Sequence, residues 1–246
     1  MSEINYTKFV KTEKLPGVWC DGCFVPALLM QSAVVFDQLK FKNSDTAVVS
    51  GIGCTGRIAG YFNLDSVHSI HGRAASVAEG IKTQNPKMNV VVISGDGDLL
   101  SIGGNHLLHT SRRNPDITVI CYNNEIYGLT GGQTSPETRK GNITLTSPQG
   151  SKFNRLNAQK IVSSNDKYFY GRTAIFNLDH FKKVLSEALK HKGFSFIEVM
   201  GFCYETDGRR RGYKKPLEMI EEMKKSYSVT EEQGELKDNE LGINKN

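Results

Sequence analysis

The sequence predicts an α/β fold, an open and mostly parallel sheet with helices on both faces, and three observations predict it. The runs Asn89-Val90-Val91-Val92-Ile93 and Ile117-Thr118-Val119-Ile120-Cys121-Tyr122 lack the alternation of a half-exposed strand, so each reads as a strand buried on both sides. Each run ends in a loop: Ser94-Gly95-Asp96-Gly97-Asp98 after the first, Asn123-Asn124-Glu125-Ile126-Tyr127-Gly128-Leu129 after the second. The 25 residues between Gly97 and Asn123 suit one loop–helix–strand passage, which returns the chain to the same edge of the sheet.

The other elements follow in order. Pro26 to Lys40 reads as a helix, with proline at its start and apolar residues at Leu28, Leu29, Val34, Val35, Phe36 and Leu39. Thr46-Ala47-Val48-Val49-Ser50 is a strand ending at the loop Gly51-Ile52-Gly53-Cys54. His71 to Gln84 is expected as a helix, and Leu99 to Arg113 contains another whose first half is weakened by Gly103-Gly104. Residues 125–153 form a long segment rich in Gly, Thr, Ser and Pro; because it starts at the paired asparagines, it is read as a functional loop. Asn177 or Asp179 caps a helix to about Lys192, Phe194–Met200 is a strand delivering Cys203, and Pro216 to Tyr227 fits a last helix. One domain is expected over residues 1–227. The polar, aperiodic tail 228–246 reads as mobile or held by a partner.

Composition narrows the function classes. With 246 residues and 38% hydrophobic content, the chain has the size and core of an ordinary domain that needs no disulfide or metal for stability. No apolar run approaches the roughly 20 residues of a membrane span, and Met1-Ser2-Glu3-Ile4-Asn5-Tyr6 lacks the parts of a signal peptide, so the expected location is cytoplasmic with no membrane partner. The net charge of +5 is mild, and Arg209-Arg210-Arg211 is too short to argue nucleic-acid binding. A basic face suits an acidic redox partner.

The chemistry is expected where the strand ends meet. Asp96 and Asn124 would share the crevice in which doubly wound sheets bind ligands. A carboxylate, an amide oxygen and a backbone carbonyl are hard ligands that suit Mg²⁺ bridging a diphosphate. The glycines let the backbone approach that diphosphate, and a following helix N-terminus favours its charge. A GDG alone is a common turn; its spacing to the paired asparagines, with a strand before each, distinguishes this one.

Five cysteines in a cytoplasmic chain argue against a disulfide framework. Cys20 and Cys23 form a CxxC, Cys54 sits on a glycine-flanked loop after a strand, and Cys203 emerges after another; Cys121 lies inside an apolar strand and reads as a core thiol. Four thiolates from three loops suit a [4Fe–4S] cluster or a structural zinc, and a free redox CxxC is a third reading.

Four further spans occur in order: Trp19-Cys20-Asp21-Gly22-Cys23, Gly51-Ile52-Gly53-Cys54-Thr55-Gly56-Arg57, His71-Gly72-Arg73-Ala74 and Ile126-Tyr127-Gly128-Leu129-Thr130-Gly131-Gly132-Gln133. With the GDG and the asparagines they resemble the β subunit of 2-oxoacid:ferredoxin oxidoreductases, over roughly residues 10–225. The resemblance implies a domain that binds thiamine diphosphate (ThDP) and Mg²⁺, the latter held by Asp96, Asn124 and the Ile126 carbonyl. It implies a cradle for the cofactor's diphosphate side from Ile52, Gly53, Cys54, Thr55, Gly95, Gly97 and Asp98, with His71 in contact. It also implies a [4Fe–4S] cluster on Cys20, Cys23, Cys54 and Cys203.

Arg57, whose guanidinium pairs bidentately with carboxylates, is the candidate for the 2-oxoacid carboxylate, a surface salt bridge being the alternative; Gly128 and Leu129 are implied as backbone contacts. The implied reaction is oxidative decarboxylation of a 2-oxoacid with coenzyme A, giving acyl-CoA and CO₂ and passing electrons to ferredoxin. No carboxylate here is clearly placed to activate the aminopyrimidine ring, and the resemblance assigns that group to the pyrimidine-binding domain of an α subunit. The Ile126–Pro136 stretch and the Gly-Arg-Arg after Cys203 favour 2-oxoglutarate; pyruvate and branched-chain enzymes share nearly all the other motifs. Asp21 stands where the family usually has proline and Phe24 where it usually has glycine, and the match around Cys203 is the loosest. A ThDP enzyme without a cluster and a zinc-stabilised interaction protein are the competing classes, separable by metal content.

Overall fold

A computed structural model describes residues 5–246. In chain order the elements are α1 (Val25–Gln38), β1 (Thr46–Ser50), β2 (Asp65–His68), α2 (Ala74–Gln84), β3 (Asn89–Gly95), α3 (Gly104–Arg113), β4 (Thr118–Asn123), the hairpin β5 (Ile126–Tyr127) and β6 (Gln133–Thr134), and α4 (Ala158–Val162). There follow β7 (Phe169–Ala174), α5 (Leu178–Lys190), β8 (Ser195–Met200), α6 (Pro216–Ser226), β9 (Ser228–Val229) and β10 (Glu240–Lys245). One sheet runs β2-β1-β3-β4-β8-β7-β10-β9. Its first six strands are parallel, and β10 joins β7 antiparallel.

Burial on both faces explains the continuous apolar strands. Along β3, Val91 and Ile93 point into a core with Leu29 and Phe36 of α1 and Phe181 and Leu185 of α5. Val90 and Val92 point the other way, against Ala74 and Ala78 of α2, Leu107 of α3 and Val162 of α4. The register pairs Gly95 with Tyr122 across β3–β4 and Asn123 with Met200 across β4–β8. The loops after β3, β4 and β8 therefore leave the sheet at one level.

Several boundaries differ from the sequence reading for local reasons. α2 starts at Ala74, because His71 and Gly72 form a turn in which Gly72 has φ +74°. The helix expected from Leu99 is two pieces: a π-helical turn over Gly97–Ile102, then α3, which ends on Asn114 in the left-handed conformation. Asn177 is the cap of α5, accepting from the His180 N–H at 3.1 Å.

The tail over 228–246 is a correction: β10 extends the sheet, with Leu241 fully buried. A strand at this position needs only a few apolar side chains, since pairing to β7 supplies its backbone partners. The loop over 125–153 is cross-tied rather than loose, with the Gly141 N–H donating to the Ser151 carbonyl and the Ser151 N–H to the Asn142 carbonyl, each at 2.8 Å.

Candidate active site

At the carboxyl ends of β1, β3 and β4 lies a pocket of about 140 Å³. Every residue expected at the cofactor lines it: the Ile52–Thr55 loop, His71, the Gly95–Asp98 turn and Asn124, together with Ile126, Gly128 and Leu129. Arg57 does not. It lies on the turn that follows Thr55 and faces a second cavity.

Asp96 and Asp98 are two residues apart and do different work. Asp98 turns its carboxylate into the protein: Oδ1 accepts from the N–H groups of Ile52 (3.0 Å) and Gly72 (2.8 Å), and Oδ2 from the Ser94 hydroxyl (2.9 Å). His71 Nδ1 stands 2.5 Å from Oδ1. Asp98 thus joins the loops after β1, β2 and β3, a role the sequence does not announce. A Cβ at Gly51 would lie 1.8 Å from Oδ2, so only glycine lets the β1 loop pass so close.

The Asp96 carboxylate is 2% exposed, and burial pushes its pKa up to about 7 against the opposing pull of the Ser135 hydroxyl and the Gly97 N–H; Glu125 adds to the rise. Ser135 Oγ donates to Oδ2 at 2.6 Å. Asn124 Oδ1 accepts a long 3.3 Å bond from the Ile126 N–H. A buried carboxylate short of positive charge, beside an amide oxygen and a backbone carbonyl, fits a hard divalent cation. Tyr127 donates its hydroxyl to the Gly97 carbonyl at 3.0 Å and so fastens the β4 side of the pocket to the β3 side.

The second cavity, about 100 Å³, is lined by Cys20, Cys23, Cys54 and Cys203 with Trp19, Arg57 and Tyr122. Four thiols from three distant parts of the chain therefore line one cavity. Burial pushes Cys23 up to about 12, and it raises Cys20 and Cys54 as well, with the neighbouring thiols adding to each. The Trp19 indole N–H donates to the Cys54 carbonyl at 2.8 Å, holding the N-terminal cysteine loop to the β1 loop. Thr206 Oγ1 lies 3.1 Å from Cys203 Sγ, and a Cβ at Gly128 would come within 3.1 Å of the same sulfur. Soft thiolates in this number fit an iron–sulfur cluster. Among the described residues, no three His, Cys, Asp or Glu side chains are grouped to hold one metal ion. The two cavities adjoin, with Cys54, Asn124 and Leu129 lining both. Cys121 is buried within β4, away from this group.

A larger cavity, about 430 Å³, opens beside β7 and β8. Its arginines already have partners: Arg139 pairs with Glu125 (2.9 Å), Arg155 with Asp238 (3.2 Å) and Arg172 with Glu198 (2.8 Å). Size alone therefore does not locate the chemistry. Also missed at the sequence level is the buried network in which Asn123 Nδ2 donates to Glu198 (2.7 Å) and Glu137 (3.1 Å). Burial and Glu198 push Glu137 up to about 9. No local pattern signals these contacts.

Among the described residues no helix is long and apolar enough to cross a membrane. Residues 51–199 match the family described as thiamine pyrophosphate enzyme, C-terminal TPP binding domain. The chain is 39% identical to the 2-oxoglutarate synthase subunit KorB of Methanothermobacter thermautotrophicus, over 91% of its own length and 78% of that protein's. Identity to the subunit of the same name from Methanocaldococcus jannaschii is 38%, over 95% and 87% of the two chains. Among solved structures, 2-oxoglutarate:ferredoxin oxidoreductase from Magnetococcus marinus, with 2-oxoglutarate, coenzyme A and succinyl-CoA bound, matches with a TM-score of 0.87 and 25% identity, covering all of this chain and 86% of that one.

Proposed function

The chain belongs to the β subunits of the 2-oxoacid:ferredoxin oxidoreductases, 2-oxoglutarate type, and from that premise we propose that it carries out ThDP-dependent oxidative decarboxylation of a 2-oxoacid, passing electrons through a [4Fe–4S] cluster to ferredoxin. The observation that carries this reading is the adjacency of the two cavities, which share Cys54, Asn124 and Leu129. The pocket proposed as the diphosphate and cation site thus shares a wall with the cavity that the four cysteines line.

When bound, ThDP supplies the nucleophilic carbon and the electron sink. The chain's residues supply position and field. Asp96, Asn124 Oδ1 and the Ile126 carbonyl hold Mg²⁺, and the backbone of the Ile52–Thr55 and Gly95–Asp98 loops cradles the diphosphate. His71, anchored by Asp98, lines the cofactor's side. Cys20, Cys23, Cys54 and Cys203 hold the cluster. Arg57, exposed at the edge of the cysteine cavity, would take the substrate carboxylate, and the backbone at Gly128 and Leu129 would contact the 2-oxoacid. The pyrimidine-activating carboxylate belongs with an α subunit, coenzyme A takes the acyl group, and 2-oxoglutarate is the favoured 2-oxoacid.

Iron, acid-labile sulfide and zinc are to be counted on protein purified anaerobically with its partner. About four irons and four sulfides per chain, lost in Cys20→Ser, are expected. Zinc without sulfide would remove the electron exit and overturn the redox assignment.

A further inference from the structure

The metal-binding groups of the proposed site come from two separate loops, joined directly by the Tyr127 hydroxyl on the Gly97 carbonyl, but that bond does not hold the Asp96 carboxylate itself. Asp96 follows β3, whereas Asn124 and Ile126 follow β4. One short turn touches both. Ser135 Oγ donates to Asp96 Oδ2 at 2.6 Å, across 39 residues of sequence. Thr138 Oγ1 donates to the Glu125 carbonyl at 2.5 Å, between the other two groups. The turn is closed on itself: the Ser135 N–H donates to Thr138 Oγ1 at 2.9 Å and the Thr138 N–H to the Ser135 carbonyl at 3.2 Å.

The Ser135 oxygen also accepts from the Glu137 N–H at 3.2 Å, and the nearer acceptor for its single proton is Asp96 Oδ2 at 2.6 Å, Thr138 Oγ1 lying at 3.4 Å. The 2.6 Å length lies in the charge-assisted range for a hydroxyl on a carboxylate. Ser135 and Thr138 are 5% and 3% exposed, so water does not compete for these bonds.

We propose that the Ser135–Thr138 turn is the positioning element of the metal site, with Ser135 holding the Asp96 carboxylate in its coordinating rotamer and Thr138 fixing the backbone between Asn124 and Ile126. Neither residue touches the cation. The turn makes the β3 and β4 halves of the site one rigid unit before the cofactor arrives, so less ordering has to accompany binding. The hairpin β5–β6 leads directly into this turn, which accounts for the conformation of a segment whose sequence gives no regular element there.

The inference rests on the proposed function, and its test separates the two. Mn²⁺ binding in the presence of ThDP is titrated by electron paramagnetic resonance on the complex, for wild type, Ser135→Ala, Ser135→Thr and Thr138→Val. A hydrogen bond to a charged group corresponds to roughly 10- to 100-fold in affinity, so Ser135→Ala is expected to weaken Mn²⁺ by at least about tenfold. Ser135→Thr, which keeps the hydroxyl, restores most of it, and Thr138→Val falls between. Bound Mn²⁺ in Ser135→Ala also shows a broadened signal from a less ordered ligand set. Wild-type affinity and line shape in a folded Ser135→Ala would overturn the inference while leaving the function intact. Failure of the wild-type complex to bind Mn²⁺ with ThDP would overturn the function itself.

Discussion

Asp96 has a cost that only its ligand removes. In the fold its carboxyl titrates near 7, raised by burial, whereas in the unfolded chain it titrates near 3.8. Between those values the folded state binds more protons than the unfolded one, so its stability falls as pH rises from about 4 to about 7. Below 4 both states are protonated and the penalty vanishes. The expected result is that Asp96→Asn stabilises the metal-free protein at pH 8, by about 4 kcal/mol at most, and does not at pH 4, while abolishing Mg²⁺-dependent ThDP binding. Denaturant unfolding at the two pH values, with calorimetric titration of Mg²⁺ and ThDP, checks both halves. A destabilised Asp96→Asn at pH 8 would show the carboxylate to be compensated within the protein. That Asp96 and Asn124 line one pocket was legible because each sits in a local motif after a strand, at a fixed spacing. The inward turn of Asp98 and the reach of Ser135 were not, because each depends on partners from 26 to 46 residues away.

At the scale of elements, the same distinction decides which strands the sequence reveals. β1, β3, β4 and β8 are buried on both faces and show as apolar runs. β7 does not, because Gly171 and Arg172 interrupt it. Arg172 is tolerated inside the sheet only because Glu198, opposite it on β8, neutralises it at 2.8 Å, and no local window contains that partner. β10 was hidden for another reason: its apolar residues, the fully buried Leu241 and the half-buried Ile243, are set among Glu240, Gly242, Asn244 and Lys245 and form no apolar run. If β10 is part of the fold rather than an appendage, Leu241→Ala should cost about 2–5 kcal/mol, as for other fully buried leucines. Thermal unfolding of the co-purified complex measures this. An unchanged midpoint, or removal of residues 240–246 without loss of stability, would return the segment to the status of a tail.

For the whole molecule, the decisive feature is which groups the pocket contains. Its two acidic side chains are Asp96, the proposed ligand of the cation, and Asp98, engaged by Ile52, Gly72, Ser94 and His71. Neither is available to activate the aminopyrimidine of ThDP. The mouth is bordered by exposed apolar side chains, Ile52 on the β1 loop and Leu129 on the β4 loop, with Ile70 and Ile102 on the neighbouring loops. Such a rim suits coverage by another chain, and the family resemblance implies an α subunit that supplies the missing group. The chain on its own is therefore expected to bind Mg²⁺ and ThDP weakly and to show no turnover. The complex should reduce ferredoxin with 2-oxoglutarate and coenzyme A. Stopped assays of the chain alone and of the complex, each with 2-oxoglutarate and with pyruvate, test this in one experiment. Robust turnover by the isolated chain would mean that the activating group lies within it, and preferential use of pyruvate by the complex would overturn the substrate assignment while leaving the two-cavity arrangement untouched.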